Sequence, residues 1–142
     1  MTREDYEEYI DHFNNKRYEE ALKCFAEDVE VQYFAPFKKG APEGEKINGK
    51  KALYKSYEQL HDTVREVIKL GKYVTDGKNV YVELWTEFHA FEDTPNFSAG
   101  PLKKGEDFFA INFFLYWIND EGKFNKMRVA THRICEPCEA FL

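Results

Sequence analysis

The sequence predicts an α+β domain in which three N-terminal helices pack on one face of an antiparallel sheet. Three observations lead there. Apolar residues recur at helical spacing before about residue 62 and at every second position after it. Turn-forming residues punctuate the second half between the alternating runs. Finally, 13 Phe, 9 Tyr and 2 Trp make up 17% of the 142 residues, more than a core of this size requires, which implies an aromatic core or an aromatic-lined cavity.

Each element can be justified in order. Thr2 and Asp5 read as a capping box, and Tyr6, Tyr9, Ile10 and Phe13 follow at i, i+3, i+4 and i+7. After Asn14-Asn15, Tyr18, Ala21, Leu22 and Phe25 repeat the stripe, so the two segments read as a helical hairpin. From Val29 the period becomes two, which marks a strand through Val31 and Tyr33. Residues 35–49 hold Pro and Gly among charges and read as a long irregular connection, a kind of loop that often carries function. Leu53, Tyr57, Leu60 and Val64 then indicate a third helix over about 50–62. Four antiparallel strands follow at about 65–75, 79–91, 106–119 and 123–134, with turns at Thr75-Asp76-Gly77-Lys78 and Asn119-Asp120-Glu121-Gly122. Helices that precede a meander in this way cover one face of the sheet.

Bulk properties narrow the function. The chain has the usual length of one domain, so residues 1–142 are expected to form a single unit. A formal charge of −6 and a pI near 5.3 oppose binding to nucleic acid, where affinity comes from Lys and Arg on phosphates. No apolar run approaches a membrane span, and the segment MTREDYEEY is too acidic for a signal peptide, so a cytoplasmic protein without a membrane partner is expected. Three cysteines, an odd number, read as free thiols in a reducing compartment. Cys135 and Cys138 form a C-x-x-C pair, but Cys24 is the only further cysteine and no thioredoxin-like βαβ unit is present. No phosphate loop, His-Glu-x-x-His or nucleophile elbow occurs, so neither metal nor cofactor is expected.

The paired helices ending in ALKCFAEDVEVQYF, the segment INGKKALYKSYEQL, the strand NVYVELWTEFHAF and the closing hairpin YWINDEGKFNKMRVATHRI resemble the NTF2-like (cystatin-like) superfamily. Within it the resemblance is to the SnoaL-like branch of polyketide cyclases, ketosteroid isomerase, limonene epoxide hydrolase and scytalone dehydratase, and it spans nearly the whole chain. It implies a pocket at the mouth of a cone and a homodimer formed through the outer sheet face. Compared with scytalone dehydratase, one pocket His falls on His89 and a pocket Asn near Asn112. The pocket Asp falls on Asn14 and the other His near Val64 or Arg65, so pocket positions carry over and the reaction does not.

On the strand from Val80 to Phe91, alternation puts Tyr81, Glu83, Trp85, Glu87 and His89 on one face and Val82, Leu84 and Phe88 on the other. The second set reads as core, and the first as an outer surface or as the wall of a polar pocket. His89 in such a wall would exchange a proton near neutral pH. Asn112, among aromatics, is either a hydrogen-bonded core group or a ligand anchor. Asp107 is a solvated strand end or a second proton-transfer group, and His132 a structural imidazole or a pocket residue. The hydroxyls of Tyr33, Tyr54 and Tyr57 either complete the aromatic core or bind a substrate oxygen, and Trp85 and Phe114 would be apolar walls. His12 and His61, at the margins of their stripes, read as surface or cap residues. Two expectations follow: an isomerase, cyclase or dehydratase of secondary metabolism acting on a polyketide- or terpenoid-like compound, or a non-catalytic module for a hydrophobic ligand or a protein.

Overall fold

The computed structural model describes residues 1–34 and 44–141. Helix α1 spans Arg3–Asn14, the short α2 Tyr18–Ala21 and α3 Lys50–His61. The strands are β1 Phe25–Phe34, β2 Lys46–Asn48, β3 Val64–Thr75, β4 Asn79–Ala90, β5 Asp107–Ile118 and β6 Phe124–Ile134. Most of the connection read at 35–49 lies outside the described residues, and its far end supplies β2, which periodicity over three residues does not reveal. No helix among the described residues is long and apolar enough to cross a membrane.

Local chemistry explains the boundaries. Thr2 Oγ1 accepts the Asp5 N–H at 3.1 Å while Asp5 Oδ2 accepts the Thr2 N–H at 2.8 Å, a reciprocal cap worth about 1 kcal/mol. Gly49, at φ 93°, supplies the left-handed backbone from which α3 starts. The β3–β4 turn closes on Asp76 Oδ1, which accepts the N–H groups of Lys78 and Asn79. Asn119 Oδ1 does the same for Glu121 and Lys123 between β5 and β6.

The sheet order is β2-β1-β6-β5-β4-β3. It is mixed rather than wholly antiparallel, because β1 runs parallel to β6. Strands β2 and β3 therefore lie at opposite edges, and α3, which joins them, must cross the face between. It packs on β1, β2 and β3 together, so the sheet curls around it. Bulges assist the curl. One lies between Leu70 and Lys72, where a Cβ on Gly71 would sit 3.2 Å from the Glu83 carbonyl oxygen.

The core fills the narrow part of the cone. Tyr6, Tyr9, Phe13, Leu53 and Tyr57 from the helices pack on Val80, Val82, Leu84, Tyr116, Phe124 and Met127 from the sheet. Tyr6 and Tyr116 share a hydroxyl–hydroxyl bond of 2.7 Å, and Phe124 stacks on Tyr116 at 4.2 Å. Burial pushes the hydroxyls of Tyr6, Tyr9, Tyr57 and Tyr116 well above the usual phenol range.

Candidate functional site

The helices cover the sheet face that carries Val80, Val82 and Leu84, so alternation along β4 sets Thr86 and Phe88 on this concave face and Trp85, Glu87 and His89 on the outer one. On β5 the concave set includes Phe108, Asn112, Phe114 and Tyr116. Tyr33, Tyr54 and Phe114, which pack against the main core, Phe88 and Phe108, which pack against a smaller cluster, and Thr131 are half-buried on the concave side.

Two polar groups stand there. Asn112 is buried, accepts the Thr131 hydroxyl at 2.9 Å and donates to Thr86 Oγ1 at 3.3 Å, so its amide is held flat between two strands. The second group links three elements. Tyr18 of α2 bonds His61 Nδ1, and His61 Nε2, at the end of α3, lies 3.0 Å from Glu66 Oε1 on β3. The imidazole is caged by Phe13, Tyr18 and Tyr57 and is 6% exposed. Burial, followed by repulsion from Glu66 and Glu58, pushes the Tyr18 hydroxyl up to about 12. Tyr18 therefore keeps its proton and donates it to Nδ1, which places the ring proton on Nε2 and aims it at Glu66. Glu66 Oε2 has no hydrogen-bond partner among the described residues. The same holds for the hydroxyls of Tyr33 and Tyr54. Burial, followed by repulsion from Tyr57 and then from Glu66, pushes the Tyr33 hydroxyl well above the usual phenol range.

The sequence-predicted residues divide between the two faces. Asn112, Phe114, Tyr33 and Tyr54 lie on the concave side. Tyr57 lies in the packed core, 7% exposed and edge-to-face with Phe13 at 5.2 Å. Asn14 is spent as a clamp: its Nδ2 donates to the Ile68 carbonyl and its Oδ1 accepts the Ile68 N–H, both at 2.9 Å. The expected convergence of His89 with Asn112 does not occur, because odd and even positions of β4 face opposite ways. His89 bridges Asp107 Oδ1 at 2.8 Å and Glu87 Oε1 at 3.0 Å on the outer face. Trp85 shares that face, and His132, exposed, stacks on Phe113 at 4.4 Å.

Over the outer face the C-terminal segment folds back, with the Phe141 N–H donating to Glu87. A space of only about 10 Å³ remains between Trp85, Glu87 and Phe141, room for one water. A larger hollow of about 320 Å³ at the ends of β5 and β6 is lined by Asp107, Phe108, Phe109, Ile134, Cys135 and Pro137. It presents one carboxylate and no imidazole. The cysteines are free thiols, and no metal-ligating cluster occurs among the described residues.

The reading of His61 as a surface or cap residue is corrected, because the imidazole is buried at the end of α3, and Glu66 is not among the residues the sequence points to. The signal existed. His61 follows Tyr57 by four residues and so continues the buried stripe of α3, and Glu66 alternates with the buried Val64 and Ile68.

No protein-family model matches the chain, and no curated protein matches it in sequence. Solved structures do match. The epoxide hydrolase/cyclase-like enzyme SalBIII of pyran ring formation in the polyether salinomycin aligns at 20% identity over 92% of this chain and 89% of its own, with a TM-score of 0.67. A protein of ketosteroid isomerase-like fold from Catenulispora acidiphila DSM 44928, in complex with trimethylamine, aligns at 12% identity over 91% and 85% of the two chains, TM-score 0.67. A Mycobacterium tuberculosis protein in complex with estradiol-17beta-hemisuccinate aligns at 17% identity over 85% of each chain, TM-score 0.64.

Proposed function

From the NTF2-like, SnoaL-type fold that these likenesses establish, we propose that the domain is a cofactor-free isomerase, cyclase or dehydratase. It acts by proton transfer on a small, mainly apolar, oxygenated ring compound held on the concave face. The observation that carries this reading is Glu66, one oxygen 3.0 Å from His61 Nε2 and the other without a hydrogen-bond partner among the described residues, on a face that also carries Asn112 and the rings of Phe88 and Phe108. A carboxylate so placed is a general base for a proton next to a carbonyl. His61 positions it, and Tyr18 fixes the tautomer of His61. Tyr33 and Asn112 supply hydrogen bonds to substrate oxygens, Phe88 and Phe108 exclude water from the reacting end, and Phe114 lies beyond Asn112 at the other end.

The register sets the shape of the substrate. Glu66 pairs with Phe88 and Phe88 with Phe108, while Asn112 lies four residues further along β5, roughly 13 Å at strand spacing. A fused-ring compound spans that distance. The steroid bound by the Mycobacterium tuberculosis protein and the polyether chemistry of SalBIII belong to the same broad class of oxygenated, mainly apolar compounds.

Exchange of α-hydrogens tests the reading without the physiological substrate. In D2O the protein is expected to wash out the α-CH2 proton signal of 1-tetralone or estrone at a rate proportional to its concentration. Exchange no faster than in buffer, for both ketones, would overturn the proposal. A second reading, binding without turnover, is favoured by one observation: both His61 nitrogens and both ends of the Asn14 amide are already engaged. Ketone binding with no exchange is the outcome that would select it.

A further inference from the structure

The connection between β4 and β5 folds back beside the turn between α3 and β3. It is pinned there by a two-bond bridge, Thr94 N–H to the Leu102 carbonyl at 2.7 Å and Leu102 N–H to the Thr94 carbonyl at 3.0 Å. Thr94 Oγ1 also donates to Thr63 Oγ1 at 2.8 Å, and the Phe91 N–H donates to the Thr63 carbonyl at 2.9 Å. These bonds tie the loop to the turn between α3 and β3. Its neighbours Pro95, Asn96, Ser98 and Ala99 are respectively exposed or part of an exposed surface, yet Phe97 between them is 8% exposed. Its ring packs on Phe88 at 5.0 Å and on Phe108 at 5.7 Å, in a small cluster separate from the main core.

Phe88 and Phe108 are the concave residues in register with Glu66. We propose that Phe97 is the end wall of the concave site: it stops a ligand at the Glu66 row and so sets the length of ring system that the site admits. This rests on the concave face being the ligand site. The side chain is suited to that task because it is placed by backbone hydrogen bonds at Thr94 and not by contact with the ligand. Its position is fixed before anything binds. A shorter apolar residue at 97 would leave the loop bonds intact and open the site beyond Glu66.

Isothermal titration with two probes reads the effect. The two-ring ketone 1-tetralone is shorter than the span from Asn112 to Phe97, whereas the four-ring estrone takes up the whole of it and meets the wall. Phe97→Ala is expected to tighten estrone by about ten-fold, the scale at which apolar pockets discriminate size, and to change 1-tetralone by less than about three-fold. Phe97→Leu, which keeps an apolar side chain against Phe88 and Phe108, is expected to give a smaller gain of the same sign and guards against a failure of the Ala variant to fold. Equal shifts for both probes, no shift, or binding of neither probe by any of the three proteins would overturn the proposal. Because the readout is binding heat, a length effect without α-hydrogen exchange would reject Glu66 as base and leave Phe97 as the wall. Exchange without a length effect would do the reverse.

Discussion

Glu66→Gln is expected to slow α-hydrogen exchange of a bound ketone by about 10²- to 10⁴-fold, the range that a positioned general base supplies. The amide keeps the shape of the side chain and can still accept from His61, so the loss falls on proton abstraction and leaves ketone affinity nearly unchanged. His61→Gln acts through Glu66. It is expected to lower kcat with little effect on KM, by a smaller factor than Glu66→Gln, since the carboxylate remains but swings free of its 3.0 Å contact. Tyr18→Phe removes only the partner of Nδ1. His89→Ala, on the outer face with Asp107 and Glu87, is expected to leave exchange unchanged. An exchange rate that fell with His89→Ala and not with Glu66→Gln would reverse the assignment of faces.

The second large effect concerns the core. Tyr116→Phe is expected to destabilise the fold by about 1–3 kcal/mol, because the Tyr6 hydroxyl, fully buried, then lacks its 2.7 Å partner. Tyr6→Phe should act alike, and the double Phe variant should recover much of either loss, since both unsatisfied groups are gone. Tyr116→Ala removes the ring that Phe124, Phe25 and Tyr6 pack on and is expected to destabilise by about 3–5 kcal/mol. Denaturant unfolding checks the series. The same tyrosines set the alkaline limit. Burial raises the folded hydroxyls well above the unfolded value of about 10, so their stabilising contribution is complete below that pH and is lost as pH rises toward the folded values. Tyrosinate absorbance should therefore appear in two stages, the half-buried Tyr73 and Tyr81 first and Tyr6, Tyr9, Tyr57 and Tyr116 only with unfolding. A single stage near pH 10 would contradict the packing described.

The fold was largely legible because it rests on periodicity. The capping box at Thr2 and the stripes of α1 and α3 are local patterns, and so is the alternation of β3 to β6. What escaped were features that only tertiary pairing creates. Phe25 continues a helical stripe in sequence but opens β1, where a shift in register beside β6 draws it into the sheet. The parallel pairing of β1 with β6 follows from chain closure and leaves no mark in either strand.

The site was legible in part, and the reason lies on β4. Alternation alone had already set His89 opposite Val82 and Leu84, whereas alignment to a distant pocket set it inside. The periodicity was the stronger constraint, because a residue cannot change faces without moving every neighbour on its strand. Asn112 was found because an amide among aromatics needs an explanation wherever it sits. Glu66 and His61 lie five residues apart across a turn, and their contact depends on how α3 meets β3. Neither residue is unusual in its own segment.

The central claim is that ligand and base share the concave face. The direct measurement is the position of bound ketone, by intermolecular nuclear Overhauser effects or a crystal structure with 1-tetralone. The account predicts contacts to Phe88 and Phe108 with the α-carbon beside Glu66. A ketone resting against Trp85, His89 or Phe113 on the outer face would contradict it.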